Sequence, residues 1–247
     1  MNDSSLSNSA LEIDDLNPLD MIEAEIPPKP DPDEMLGLIS HGNLQEQIRG
    51  VRAFCEISDH RAIPLLIERL THTCPLIRVS AAYALGRNTH PSAVSPLINT
   101  LQNDWNGYVR KGVVWALGNS ADSNSFKPLL HALKYDIVAV RLWSASSIAN
   151  IAKLKYEDTI TAIPVLIKTL RKDPISAVRS NCAWTVGRLC RELPNNVVYN
   201  TAIDALIEAL VEDEDLGVKE DAKSALLKLG DARGLQTIEE LEFEGII

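Results

Sequence analysis

Two short patterns of apolar and polar residues alternate along most of the chain. In the first pattern, which we call A, leucine and isoleucine recur three and four positions apart; in the second, B, alanine and valine recur in this way after a basic residue. Apolar residues at this spacing line one face of an α-helix, so both patterns predict amphipathic helices. The A segments are 62–70, 93–101, 125–133, 162–170 and 202–210, and the B segments are 48–57, 77–86, 109–118, 140–149, 178–187 and 218–227.

The basic residues that open the B segments stand at positions 49, 78, 110, 141, 179 and 219. Successive bases are thus separated by 29, 32, 31, 38 and 40 residues. A two-helix repeat of this length is typical of a solenoid, because one helix pair cannot bury its apolar stripe alone and neighbouring pairs must stack. We predict an all-α fold, a right-handed α-solenoid of about six helix pairs with a C-terminal capping helix near 232–243. Gly86, Gly118, Gly187 and Gly230 lie near the predicted ends of B helices, where a left-handed C-cap favours glycine.

Composition divides the chain into two regions. Residues 1–33 are acidic, end in a proline-rich stretch and lack sustained helical or strand periodicity, which predicts a disordered tail. Asp33 stands before the apolar run MLGLIS and is expected to cap the first helix. The solenoid is therefore predicted to occupy residues 34–247.

The formal net charge of −10 is unevenly distributed. Residues 1–34 hold ten acidic residues and one lysine, and residues 208–247 hold twelve acidic and four basic residues. Residues 35–207 hold twelve acidic and nineteen basic residues, a net charge of +7. The sequence thus has a basic middle between two acidic ends. We predict no nucleic-acid partner, because the protein is acidic overall and many bases of the middle region are expected to pair with nearby aspartates.

Targeting signals are not evident in the sequence. The chain has no apolar run of about 18 residues that would predict a membrane span. Its first residues lack the basic and apolar stretches of a secretory signal. Four scattered cysteines do not form a disulfide framework, so a reduced cytoplasmic location is expected.

Helical geometry predicts which side chains of the B helices face a partner. If the opening base is set at 0° and each residue advances about 100°, the recurrent apolar positions fall on one face and the fifth position after the base points almost opposite. This position holds Phe54, Tyr83, Trp115, Ser146, Trp184 and Ser224. Aromatic residues that point away from their own core predict a binding groove lined by B helices. The candidate groove residues are Tyr83, Arg87, Trp105, Tyr108, Lys111, Trp115, Asn119, Trp143, Trp184 and Arg188.

The bases that open the B helices are expected to be structural. A cation at a helix N-terminus is unfavourable for the helix dipole, and an aspartate stands five or six residues earlier in most of the turns between A and B. An Asp from the same or the adjacent repeat would offset the charge. The predicted ladder consists of Arg78, Asp104, Arg110, Asp136, Arg141, Asp173, Arg179, Asp213 and Lys219.

No pattern typical of a catalytic centre is present. None of the five histidines is followed by glutamate, and HExxH, Walker, GxGxxG and GxSxG motifs are missing, so neither catalytic residues nor a metal site are predicted. Cys55 and Cys182 fall on the apolar faces of B helices, whereas Cys74 and Cys190 lie near a turn and a helix end and are expected to be accessible. An iron–sulfur cluster would need more ligands than Cys182 and Cys190 supply.

The repeat unit VRxxAAxALG, followed by AxxPLIxxL, resembles the HEAT-like repeats of the phycobilisome-lyase family over about residues 36–244. The stretches WNGYVRKGVVWALGN and VRSNCAWTVGRLCRELPNNVVY are similar to cyanobacterial HEAT-repeat proteins that partner the A-type iron–sulfur carrier IscA. The resemblance leaves two functions open. One is a non-catalytic adaptor or scaffold that needs no cofactor and binds a protein partner, an iron–sulfur carrier or a phycobiliprotein. The other is a phycobilin lyase or isomerase, or a bilin-detachment factor, with a bilin as its ligand.

Overall fold

Residues 29–246 are described by a computed structural model, in which they form thirteen α-helices and no strand. None of these helices is long and apolar enough to cross a lipid bilayer. The helices are α1 (Pro32–His41), α2 (Leu44–Ala53), α3 (Ala62–Arg69), α4 (Pro75–Arg87), α5 (Pro91–Asn103), α6 (Gly107–Ser120), α7 (Phe126–Tyr135), α8 (Val138–Ala152), α9 (Tyr156–Lys172), α10 (Ser176–Cys190), α11 (Val197–Glu212), α12 (Leu216–Leu229) and α13 (Ala232–Phe243).

The helices form six A/B pairs and a final helix, as the repeat spacing predicts. The odd-numbered helices α1 to α11 are the A helices, and the even-numbered helices α2 to α12 are the B helices. The last helix, α13, packs on both α11 and α12 and ends the stack. It buries Ile238 and Leu241, while Glu239, Glu240 and Glu242 remain exposed, so it presents a polar outer face as a cap requires.

The predicted phase of the B helices is confirmed by burial. The residue directly before the opening base is fully buried in each of the B helices from α4 onward, and one apolar core runs through the whole stack. Those residues are Ile77, Val109, Val140, Val178 and Val218. Because adjacent pairs share this core, each repeat depends on its neighbours for burial of its apolar stripe.

Two expectations for the N-terminal end are wrong. The first helix begins at Pro32, and Asp31 rather than Asp33 caps it: the Asp31 carboxylate accepts a hydrogen bond from the Asp33 backbone N–H at 3.0 Å. Proline suits the first helical position because its missing N–H would have had no partner there. Phe54 is buried, since α2 ends at Ala53 and the helical phase does not extend to it. Most of the predicted acidic tail, residues 1–28, lies outside the described residues.

The B helices line the concave side of the stack. Successive B helices pack closely on one another, whereas most successive A helices make few contacts, so the stack curves with the B layer inside. Gly86, Gly118 and Gly187 permit this approach: a Cβ at Gly118 would lie 2.5 Å from Ser147 Oγ on α8. The expectation that these three glycines are C-caps is wrong, because each lies inside its helix. Gly230, with φ of 69°, does end α12 in the left-handed conformation.

Candidate functional site

A row of aromatic side chains crosses the concave surface from α4 to α10. Tyr83 on α4 and Trp115 on α6 lie 5.4 Å apart between ring centroids, with their planes tilted by 52°. Trp143 on α8 and Trp184 on α10 continue the row and are 36% and 39% exposed. We call these four residues the aromatic row. Partly exposed rings on a concave surface offer a rigid apolar area to a ligand.

Each tryptophan of the aromatic row lies beside a cation. The distances from cation to ring centroid are 5.9 Å for Arg87 and Trp115, 5.4 Å for Lys111 and Trp143, and 5.2 Å for Arg188 and Trp184. Arrangements of this kind contribute about 0.5–1 kcal/mol at exposed sites. They also hold the positive charges next to the exposed rings, so the surface is both aromatic and basic.

Further cations gather at the α10 end of the aromatic row. Arg191 and Lys228 line a cavity of ≈ 280 Å³ together with Trp184 and Arg188. Lys228 is absent from the residues predicted from sequence. Its signal was available, because it stands nine residues after the base that opens α12, the same position that Arg87 and Arg188 occupy in their own repeats.

The structure does not bring all of the predicted groove residues together. Trp105 lies in the turn between α5 and α6, is 76% exposed, and has Arg78 of the ladder 5.7 Å from its ring centroid. Tyr108 lies at the N-terminal end of α6, two turns before Trp115 on the same helix face. Asn119 follows Trp115 by one turn, and its Nδ2 donates to the Gly86 carbonyl at 3.3 Å.

The ladder is a series of ion pairs between successive repeats. The shortest N–O distances are 2.6 Å for Arg78 and Asp104, 2.6 Å for Arg110 and Asp136, 2.8 Å for Arg141 and Asp173, and 2.8 Å for Arg179 and Asp213. In each pair the guanidinium donates from Nε and Nη2 to the two carboxylate oxygens. Such bidentate pairs fix the relative position of adjacent turns.

Each arginine of the ladder also donates to a backbone carbonyl of its own repeat. The Arg110 guanidinium, for example, bonds the carboxylate of Asp136 in the next repeat and donates to the backbone carbonyl of Asp104 at 2.7 Å. Hydrogen bonding to aspartate raises the pKa of the Arg110, Arg141 and Arg179 guanidinium groups. The hydrogen bond from Arg179 lowers the pKa of the Asp213 carboxyl. These charges are neutralised internally, which supports a structural role.

The last basic residue of the predicted ladder differs from the others. Lys219 forms no ion pair with another residue of 29–246, and its Nζ donates instead to the Val211 carbonyl at 3.0 Å. Among the described residues α12 is followed by α13 and not by another A/B pair, and none of their aspartates takes the position that Asp104, Asp136, Asp173 and Asp213 have in the other pairs.

Comparison with known proteins identifies the class of repeat. A sequence profile of HEAT repeats matches residues 34–110, 94–187 and 163–241. The chain belongs to the HEAT-repeat family. Among solved structures, a designed armadillo repeat protein in complex with the peptide (KR)4 has a TM-score of 0.63 and 19% identity, covering 81% of this chain and 100% of the other. The complex of CpcE and CpcF of phycocyanin lyase from Nostoc sp. PCC7120 has a TM-score of 0.58 and 17% identity, covering 92% and 98%. At these identities the likeness concerns the fold.

The burial of one cysteine of this HEAT-repeat protein differs clearly from the expectation. Cys190 is buried because α10 extends to it and places its thiol in the core near Leu193, so the expectation that it is accessible is wrong. Burial raises the pKa of the Cys190 thiol to about 12 and that of Cys182 further. Cys74 is half-buried at the start of α4. Within residues 29–246, no group of three or more His, Cys, Asp or Glu side chains is arranged to hold a metal ion.

Proposed function

We propose that this HEAT-repeat protein is a non-catalytic adaptor that binds a protein partner on its concave B-helix surface. The observation that carries the proposal is the aromatic row, whose tryptophans each lie beside a cation. Tryptophan, tyrosine and arginine are the residues that contribute most to binding hot spots. The designed armadillo repeat protein in complex with a peptide supports the use of this architecture for binding polypeptides.

The partner we propose is an A-type iron–sulfur carrier, met in the cytoplasm. The resemblance of the segments around Trp115 and Trp184 to proteins that partner IscA supports this choice. Cys182 and Cys190 are buried. The adaptor would therefore contact the carrier through the side chains of the concave surface, and the carrier alone would ligate the cluster.

Truncation of Trp184 tests the proposal. Trp184→Ala should weaken binding of a purified A-type carrier by about 30-fold, because truncation of a hot-spot side chain costs about 2 kcal/mol. Trp115→Ala should act in the same direction. Surface plasmon resonance measures the affinity, and far-UV circular dichroism checks that the helices are retained. Trp105→Ala is the matched control, since this exposed ring lies in a turn outside the aromatic row. If both Trp184→Ala and Trp115→Ala bind as tightly as wild type, the aromatic row is not the binding surface.

A second function is favoured by one observation. The likeness to the CpcE–CpcF complex of phycocyanin lyase extends over 92% of the chain. A phycobilin lyase, isomerase or detachment factor would use the aromatic row to stack tetrapyrrole rings and its cations to bind the propionates. Under this function, mixing the protein with phycocyanobilin should shift the visible absorption spectrum, and Trp184→Ala should reduce the shift. No shift at micromolar protein contradicts bilin binding and leaves the adaptor as the better explanation.

A further inference from the structure

The concave surface carries cations without carboxylate partners. Unlike the ladder arginines, these side chains form no ion pair with any other residue of 29–246. We call them the concave cations: Arg87, Lys111, Arg188, Arg191 and Lys228. Unneutralised charges of one sign on one surface attract a partner of the opposite sign and raise its association rate.

We infer that the ligand of this surface is an extended acidic segment of the partner protein, laid across the B helices from α4 to α12. The inference rests on the proposed adaptor function and specifies the chemistry of the partner. Charge complementarity with the concave cations selects acidic side chains. The rings between the cations select apolar side chains at intervening positions.

The spacing of the helices suits an extended polypeptide. Packed helices lie about 8–10 Å apart, and an extended chain advances about 3.3 Å per residue. Every third residue of such a segment therefore meets the next B helix. From α4 to α12 the surface crosses four helix-to-helix steps, so about 10–12 residues span it.

The strongest anchor is the cavity between α10 and α12. Arg188, Arg191 and Lys228 line it, and Trp184 lies beside them. Asp221 also lines this cavity, but its carboxylate already accepts a hydrogen bond from the Ser180 hydroxyl on α10. The cavity therefore has three cationic side chains and one carboxylate. A carboxylate from the ligand that enters here can receive charge-assisted hydrogen bonds from the arginines.

A labelled model peptide tests the inference on the full chain. We expect the acidic twelve-residue peptide (Asp-Leu-Glu)4 to bind in fluorescence anisotropy, and its neutral counterpart (Asn-Leu-Gln)4 to bind at least about tenfold more weakly. Affinity for the acidic peptide should fall as salt is raised, because screening weakens exposed charge interactions. The double variant Arg188→Glu/Arg191→Glu should lose at least about tenfold in affinity.

The matched control places the same charge change outside the concave surface. Lys168→Glu/Lys172→Glu, on exposed positions of the A helix α9, should change the affinity less than about twofold. Equal binding of the neutral peptide, or an equal loss in the control variant, overturns the inference. If the acidic peptide binds only after the seven acidic residues of 1–28 are changed to amides, the ligand of the surface is the chain's own N-terminal segment, and the assignment to a partner is overturned. If the acidic peptide fails to bind while binding of the carrier still depends on Trp184, the ligand is not an acidic segment, but the proposed adaptor function is retained.

Discussion

Changing Asp104 to asparagine should lower the free energy of unfolding by about 3 kcal/mol or more, because it removes the counter-charge of a buried arginine. The Arg78 and Asp104 side chains are 7% and 5% exposed, and Arg78 donates to the carboxylate at 2.6 and 2.9 Å. Asp104 Oδ1 also accepts from the Asn106 backbone N–H at 2.8 Å, a bond that the asparagine oxygen can keep, so the loss reports mainly on the pair with Arg78. Urea unfolding followed by circular dichroism measures the effect.

Two comparisons separate a buried charge from an ordinary ion pair. The double variant Arg78→Met/Asp104→Leu should be less destabilised than Asp104→Asn alone, since it leaves no unpaired charge in the turn. The Arg171–Glu208 pair has the same 2.6 Å distance but side chains 40% and 39% exposed, so Glu208→Gln should cost no more than about 1 kcal/mol. Equal losses for Asp104→Asn and Glu208→Gln would show that the ladder contributes no more than a surface pair.

The fold could be predicted from the sequence because the apolar period is local and repeats. The residue before each opening base, such as Val109 or Val178, marks the core side of its B helix without knowledge of the neighbouring helix. The partners of the ladder were harder to predict. Spacing alone did not decide whether Arg78 pairs within its repeat or with Asp104 of the next one, because that depends on how the turns stack.

The candidate surface could be predicted only where its residues lie inside B helices. Tyr83, Trp115 and Trp184 follow the helical phase and do reach the concave surface. Phe54 lies outside a helix, where a rotation of 100° per residue no longer describes the backbone, and the phase argument fails for it. Trp105, which is included because it stands close to Trp115 in the sequence, lies in the turn before α6 and not in the aromatic row.

Rules based on local sequence also fail at positions whose role or burial is set by contacts between helices. The sequence predicts that Gly118 ends a helix, but its glycine is required by the close approach of α8, which sequence spacing does not reveal. A nearby helix end predicts that Cys190 is accessible, but its burial depends on the residues that pack around it. The cavity between α10 and α12 needs Lys228 from one helix and Arg191 after another, so it exists only in the assembled stack.

Changing Asn88 to aspartate should lower the free energy of unfolding by about 2–4 kcal/mol at neutral pH. The Asn88 side chain joins two repeats: its Nδ2 donates to the Phe54 carbonyl at 2.7 Å and to the Ala84 carbonyl at 3.0 Å. The residue is 6% exposed, and its Oδ1 has no hydrogen-bond partner within residues 29–246. Aspartate has the same shape but, when ionised, no donor. It would therefore place a buried charge against carbonyl oxygens.

The destabilisation caused by Asn88→Asp should depend on pH with a definite sign. Burial and the facing carbonyls disfavour the carboxylate, so the pKa of the introduced group is higher in the folded state than its ordinary value of about 4. The folded variant then binds more protons than the unfolded one, and the loss relative to wild type grows as pH rises above about 4 and levels off above the folded-state pKa. Asn124→Asp, at an exposed position, should change stability by about 0.5 kcal/mol or less at any of these pH values. A loss for Asn88→Asp that is the same at pH of about 4 and at neutral pH would contradict the buried-charge explanation and leave the lost hydrogen bonds as its cause.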